Sequence, residues 1–140
     1  MTIDQAILEH IIAYSGTTYP VCYGSAEDES TPYYVIYKIA DDERPDSLCE
    51  DQGDSGKAVF IVQGWGGGQS GAGFNSANAV IFTEALKNHC NRIRGVIGSA
   101  PNRFRIWYNE TGGVVPIERG SQSLLTWGAE FTMVLWWNKI

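Results

Sequence analysis

The sequence predicts a single α+β domain: a mostly antiparallel, twisted sheet of four to five strands with two helices packed on one face. Three observations lead there. Two segments carry apolar residues at helical spacing, several others alternate at period two, and they run helix, strand, strand, helix, strand, short strand, strand. With 140 residues, the chain can bury roughly 70% of its unfolded surface around one core, so one domain spanning 1–140 is expected.

The first helix opens with Thr2 and Gln5 in the form of a capping box, with Asp4 in the first turn where the helix dipole favours an acid. Ile3, Ala6, Ile7, Ile11 and Tyr14 recur along one face, and Gly16 is a C-terminal stop. Residues 15–32 hold Gly16, Pro20, Gly24, Pro32 and the acids Glu27, Asp28 and Glu29, the composition of an irregular connection. From Tyr33 the period becomes two. Tyr33, Val35, Tyr37 and Ile39 oppose Tyr34, Ile36 and Lys38, a strand largely apolar on both faces.

A second strand is expected over 57–65, with Ala58, Phe60 and Val62 opposing Val59, Ile61 and Gln63. The acidic stretch 41–56 between these strands is much longer than a tight hairpin needs and is expected to project as a mobile loop. Residues 64–73 are glycine-rich and flexible by composition. Asn75 or Ser76 can cap the second helix, whose inner face is marked by Ala79, Phe82, Leu86, Cys90 and Ile93 and which Gly95 ends. Phe104, Ile106 and Tyr108 alternate with Arg103, Arg105 and Trp107 in a third strand. A short fourth around 114–117 carries Pro116, which suits an edge. The longest alternation, over 124–137, closes the chain; Trp127, Trp136 and Trp137 fall on both its faces, so at least one meets a second layer or another subunit.

Composition narrows the function. Sixteen acidic residues against ten basic ones give a net charge of −6, which opposes binding to a phosphate backbone and argues against a sequence-reading DNA binder. An acidic wall surrounding DNA without gripping it remains compatible. Cys22, Cys49 and Cys90 are odd in number, widely spaced and without a CxxC pair, which favours free thiols in a reducing compartment. The first thirteen residues lack Lys and Arg, unlike a signal peptide, and no apolar run approaches the roughly 20 residues of a membrane span, so a soluble intracellular protein is expected.

The chemical motifs are weak. Gly66, Gly68 and Gly71 satisfy GxGxxG between a strand and a helix, yet no Asp or Glu lies between Glu84 and Glu110 to hold a ribose. Gly68, Gln69, Ser70, Gly71 and Ala72 approach a nucleophile elbow, but the only later histidine, His89, sits on the adjoining helix with Glu84 as the sole intervening acid. His10 and His89, each alone on a helix, fit surface or core positions better than metal ligation. Asp41, Asp42, Glu43, Asp46, Glu50, Asp51 and Asp54 lack EF-hand spacing and fit a solvated acidic loop better than a cation site. No catalytic, cofactor or metal site is expected. Arg92, Arg94, Arg103 and Arg105 are the local basic concentration, either dipole partners at a helix end or a contact for a neighbour's acidic loop.

The short opening helix, PYYVIYKIADD at 32–42, KAVFIVQGW at 57–65, the helix at 76–94 with its SANA start, and LLTWGAEFTMVLWW at the end together resemble the tail terminator, or tail completion, proteins of tailed bacteriophages across nearly the whole chain. The resemblance implies a structural virion protein at the tail–neck junction and not an enzyme. It would be a homohexameric ring that caps the tail tube, stops polymerisation of the major tail tube protein, and presents a docking surface to the head connector or neck protein, with DNA passing through its lumen. A neck or head–tail joining protein on the same scaffold is the near alternative, and a small hydrolase using Ser70 and the glycine loop a remoter one. Arg92, Arg94, Arg103, Arg105, Trp107, Trp136 and Trp137 are the expected subunit or tube contacts, and the acids of the 41–56 loop are expected to face the lumen or a neighbouring subunit.

Overall fold

The computed structural model describes residues 3–15, 19–24, 32–44, 55–66, 76–91, 93–99, 102–119 and 126–140. Within them the chain runs α1 (Ile3–Ser15), β1 (Val21–Tyr23), β2 (Tyr33–Arg44), β3 (Ser55–Trp65), α2 (Ser76–Cys90), β4 (Gly95–Ser99), β5 (Asn102–Thr111), β6 (Val115–Arg119) and β7 (Thr126–Lys139). The α+β class is as expected, but the sheet is larger and mixed. Seven strands lie in the order β1-β2-β3-β7-β5-β4, with β6 also on β7, and β1 runs parallel to β2.

β7 is the spine because its fourteen residues are long enough to pair along both edges. One edge takes β3 along most of its length; the other takes β6 at the start and β5 at the end. Alternation then sorts its side chains. Phe131, Met133, Leu135 and Trp137 point into the main core with Ala58, Phe60 and Val62 of β3, Tyr34 and Ile36 of β2, and Phe104 and Ile106 of β5. Both helices cover this face: α1 contributes Ile3, Ala6, Ile7 and Ile11, and α2 contributes Leu86 and Cys90. Each large side chain fully buried there contributes about 1.5–3 kcal/mol. Tyr34 ties the layers together, its ring stacked 4.3 Å from Phe82 and its hydroxyl donating to the Phe82 carbonyl at 3.1 Å.

Four sequence boundaries need correction. The acidic segment is not a loop throughout 41–56: β2 continues through Asp41, Asp42 and Glu43 to Arg44, and β3 begins at Ser55, so antiparallel pairing extends into the acidic stretch. The glycine-rich segment does not begin at 64, because Gly64 and Trp65 finish β3 and are buried. A side chain at Gly64 would fall on Thr83 and Phe82 of α2, so this glycine is required by close packing. The second helix ends at Cys90 and does not reach 94, since the side-chain amide of Asn109 in β5 donates to the Cys90 carbonyl at 2.5 Å and caps the last turn. Ile93 is still buried, beyond the helix.

Two strands had left no periodic trace. β1 is three residues long and sits between Pro20 and Gly24, which read as loop punctuation; here they bracket the strand through Tyr34 N–H to Pro20 O and Gly24 N–H to Ile36 O bonds, each 2.9 Å. β4 contains Gly95 and Gly98 at φ of 78° and 87°, conformations that interrupt a regular strand signal. The capping candidates Thr2, Gly16 and Asn75 lie outside the described residues, as do residues 45–54 and 67–75 with Asp46, Glu50, Asp51, Asp54, Cys49, Gly68, Ser70 and Gly71.

Helix α1 also packs against β1 and β4, the strands at opposite ends of the sheet order. The sheet therefore curls around α1, and the helix closes its open side. Asp4 fixes the start of α1 by an ion pair to Lys38 of β2 at 2.9 Å and by accepting a hydrogen bond from the Tyr23 hydroxyl of β1.

Candidate interaction surface

The second face of the sheet carries no helix among the described residues. Register places its residues in rows across the strands. Val35, Gln63, Glu130 and Val115 form one row, Tyr37, Ile61 and Thr132 the next, and Ala40, Val59, Val134 and Glu110 another. Lys57, Trp136 and Tyr108 follow, then Ser55, Asn138 and Arg105. The middle of the face is aliphatic and partly exposed, an unusual surface for a sheet meant to meet water.

One end is self-covered. Tyr33, Val35 and Trp65 form a small buried cluster with Tyr37 and Ile117 against it. Trp65 lies directly over Gly128 of β7, where an added Cβ would stand 2.6 Å from the indole. Its Nε1–H donates to Gln63 Oε1 at 3.0 Å, and Gln63 Nε2 donates to Glu130 Oε2 at 2.9 Å, so the polar groups here are satisfied. Burial raises the Tyr37 phenol, and the Glu130 carboxylate raises it further.

The other end is open. β5 slips register between Ile106 and Tyr108, leaving Trp107 as the extra residue of a bulge. Bulges re-aim side chains, and this one sets Trp107 beside Trp136, ring centroids 5.6 Å apart, with Trp107 61% exposed. Lys57 Nζ lies 5.4 Å from the Trp136 ring on its other flank, a cation–π contact. Arg103 and Arg105 alternate with the buried Phe104 and Ile106, so they stand exposed on this same outer side. Tyr108 is 46% exposed and its hydroxyl bonds Glu110 at 3.3 Å. A molecule with a net charge of −6 thus carries Lys57 against Trp136, with Arg103 and Arg105 exposed further along the outer side of β5.

The expected contact residues separate on this geometry. Trp107 and Trp136 come together, and Arg103 and Arg105 are exposed on the same outer side of the sheet. Trp137 does not join them and is a correction: its alternation points it inward, where it is 3% exposed and meets Phe104 edge-on at 5.4 Å. Arg94 is on the helix side, lining a cleft of about 340 Å³ with Ala6, Glu9, His10 and Ser99. Arg92 lies outside the described residues. Lys57 was missed by sequence reading; its register opposite Trp136 was the missing information, and pairing partners are not visible in one strand alone. Asp42 is the backbone partner of Lys57 on the other side, so the acidic end of β2 adjoins the basic end of this face.

Among the described residues no group of three His, Cys, Asp or Glu side chains is placed to hold a metal ion. Cys90 is fully buried and burial pushes its thiol up to about 12, so it is no nucleophile at neutral pH. The arrangement places two tryptophans, Lys57, Arg103 and Arg105 on one face of the curled sheet beside an aliphatic middle. The sequence matches no protein-family model and no curated protein.

Proposed function

We propose that this chain is a structural assembly subunit that closes into a ring on the end of a phage tail tube, ends growth of the tube protein, and offers its far side to the head connector. The carrying observation is the uncovered face of the sheet, where Trp107, Trp136, Lys57, Arg103 and Arg105 stand exposed or half-exposed beside an aliphatic middle. Aromatic side chains and Arg are enriched where protein interfaces are centred, and an apolar strip rimmed by charge is the usual form of such a patch. The resemblance of the sequence to tail terminators gives the partner, and the acidic excess supports a lumen through which DNA passes without being held. In this reading the protein is not an enzyme, acts in the virion, and takes no cofactor.

Heterologous contacts around a closed ring fit the charge layout. In this reading the basic, tryptophan-bearing end of one subunit meets the acidic 41–56 segment of the next, and closure stops propagation. The test is tube assembly: purified protein added to polymerising tail tubes shortens them and sits at one end by electron microscopy. Tubes that grow to unchanged length with bare ends reject the reading.

A further inference from the structure

Beyond assembly, the helix side of the molecule contains a feature that the proposed ring does not use. The rings of His10 on α1 and His89 on α2 stack with centroids 4.4 Å apart and planes at 23°, and Tyr14 lies on His89 at 4.8 Å. The Nε2 atoms of both histidines are buried with no hydrogen-bond partner among the described residues. Such an arrangement suits two neutral imidazoles. A proton added at His10 Nε2 would be a buried N–H without an acceptor among the described residues, against the stacked His89 ring.

We propose that the His10–His89 stack is a pH-sensitive latch that holds the C-terminal half of α1 over the open side of the curled sheet and releases it on mild acidification. The geometry of α1 limits the motion to that half. Its N-terminal end is fixed by Asp4 to Lys38 and Tyr23, groups far along the helix from His10. The stretch of β4 facing His10, Val96 to Ser99, carries no charge. At the cleft beside His10, Glu9 of α1 and Arg94 before β4 bear opposite charges, so their effects on an added proton oppose each other. On α2, Lys87 is a further cation two residues from His89, on a different side of the helix, while the Cys90 thiol stays protonated throughout the range.

The sign of the dependence follows. Burial and, next, His89 lower the titration of His10 below its ordinary 6.5. The released helix therefore binds protons more readily than the docked one. Docking strength is fully present above about pH 6.5 and falls as pH drops below it. For one histidine that titrates only when released, the docked-to-released ratio falls about tenfold between about pH 7.5 and about pH 5.5.

Amide hydrogen exchange on the full chain, corrected for intrinsic rates, tests this. The expected result is a protection loss of about tenfold or more in the second half of α1, with β3 and β7 unchanged, and disappearance of the effect in His10→Phe/His89→Phe, which keeps two stacked rings without a titrating group. Equal loss in all elements, or loss that persists in the double variant, overturns the latch. If the double variant does not fold, histidine NMR of the wild type decides: a His10 titration below 6.5 accompanied by α1 release supports it, and one at or above 6.5, or one without release, rejects it.

Discussion

The two faces of the central sheet are built from the same strands by alternate residues, yet they end in different states. On one face Phe60, Val62, Met133, Leu135 and Trp137 meet two helices and lose almost all contact with solvent. On the other, Val59, Ile61, Val134 and Trp136 stay partly exposed, and a bulge turns Trp107 outward. Among the described residues the inner face is covered by two helices, while the outer face keeps an aliphatic middle with Lys57, Arg103 and Arg105 at one end and no helix over it. The difference also divides the expected consequences of mutation: changes at fully buried positions act on folding, whereas changes at the exposed end of the outer face leave folding nearly untouched.

The largest expected break is inside. Leu135→Ala or Phe60→Ala removes a side chain with no measurable exposure from the helix-covered core and is expected to cost about 3–5 kcal/mol in urea unfolding. Next comes the self-covered end of the second face. Gly128→Ala drives a methyl into the Trp65 ring and the Gly64 carbonyl, at an expected cost of about 1–3 kcal/mol in the same measurement. Asn109→Ala leaves the Cys90 and Ile93 carbonyls without their side-chain donor, and a loss of about 1–2 kcal/mol is expected, read as earlier thermal unfolding. The smallest effect on folding sharpens the comparison most. Trp107→Ala, on the outer face, is expected to shift unfolding by no more than about 0.5 kcal/mol while abolishing self-association.

The inner face was legible in the sequence because its signals are local. Alternation in 33–39, 57–65 and 124–137, and helical spacing of Ile3, Ala6, Ile7 and Ile11, name most of the residues that the core contains. What escaped depended on partners distant in the chain. β1 and β4 are strands by pairing rather than by pattern, and the bulges at Ile39 and Trp107 shift side chains without any residue type that announces them. Gly64 reads as part of a flexible run until Thr83 is seen against it. On the outer side, the sequence singles out Arg103, Arg105 and Trp107, which are exposed, and Trp136, which is half-exposed; it also names Trp137, which is buried in the core, and does not name Lys57, which lies against Trp136. Composition raised the question of an interface, and register shows which residues share a face of the sheet.

The most direct measurement of the central claim, that the uncovered face is an assembly surface, is the solution mass by light scattering of the wild type and of Trp107→Ala/Arg105→Glu, over a range of concentrations and with tail tubes present. The account predicts a closed oligomer near about six chains for the wild type, alone or on meeting tubes, and a folded monomer for the double variant. A wild type that stays monomeric at every concentration and ignores tubes, or a double variant that assembles as the wild type does, contradicts it.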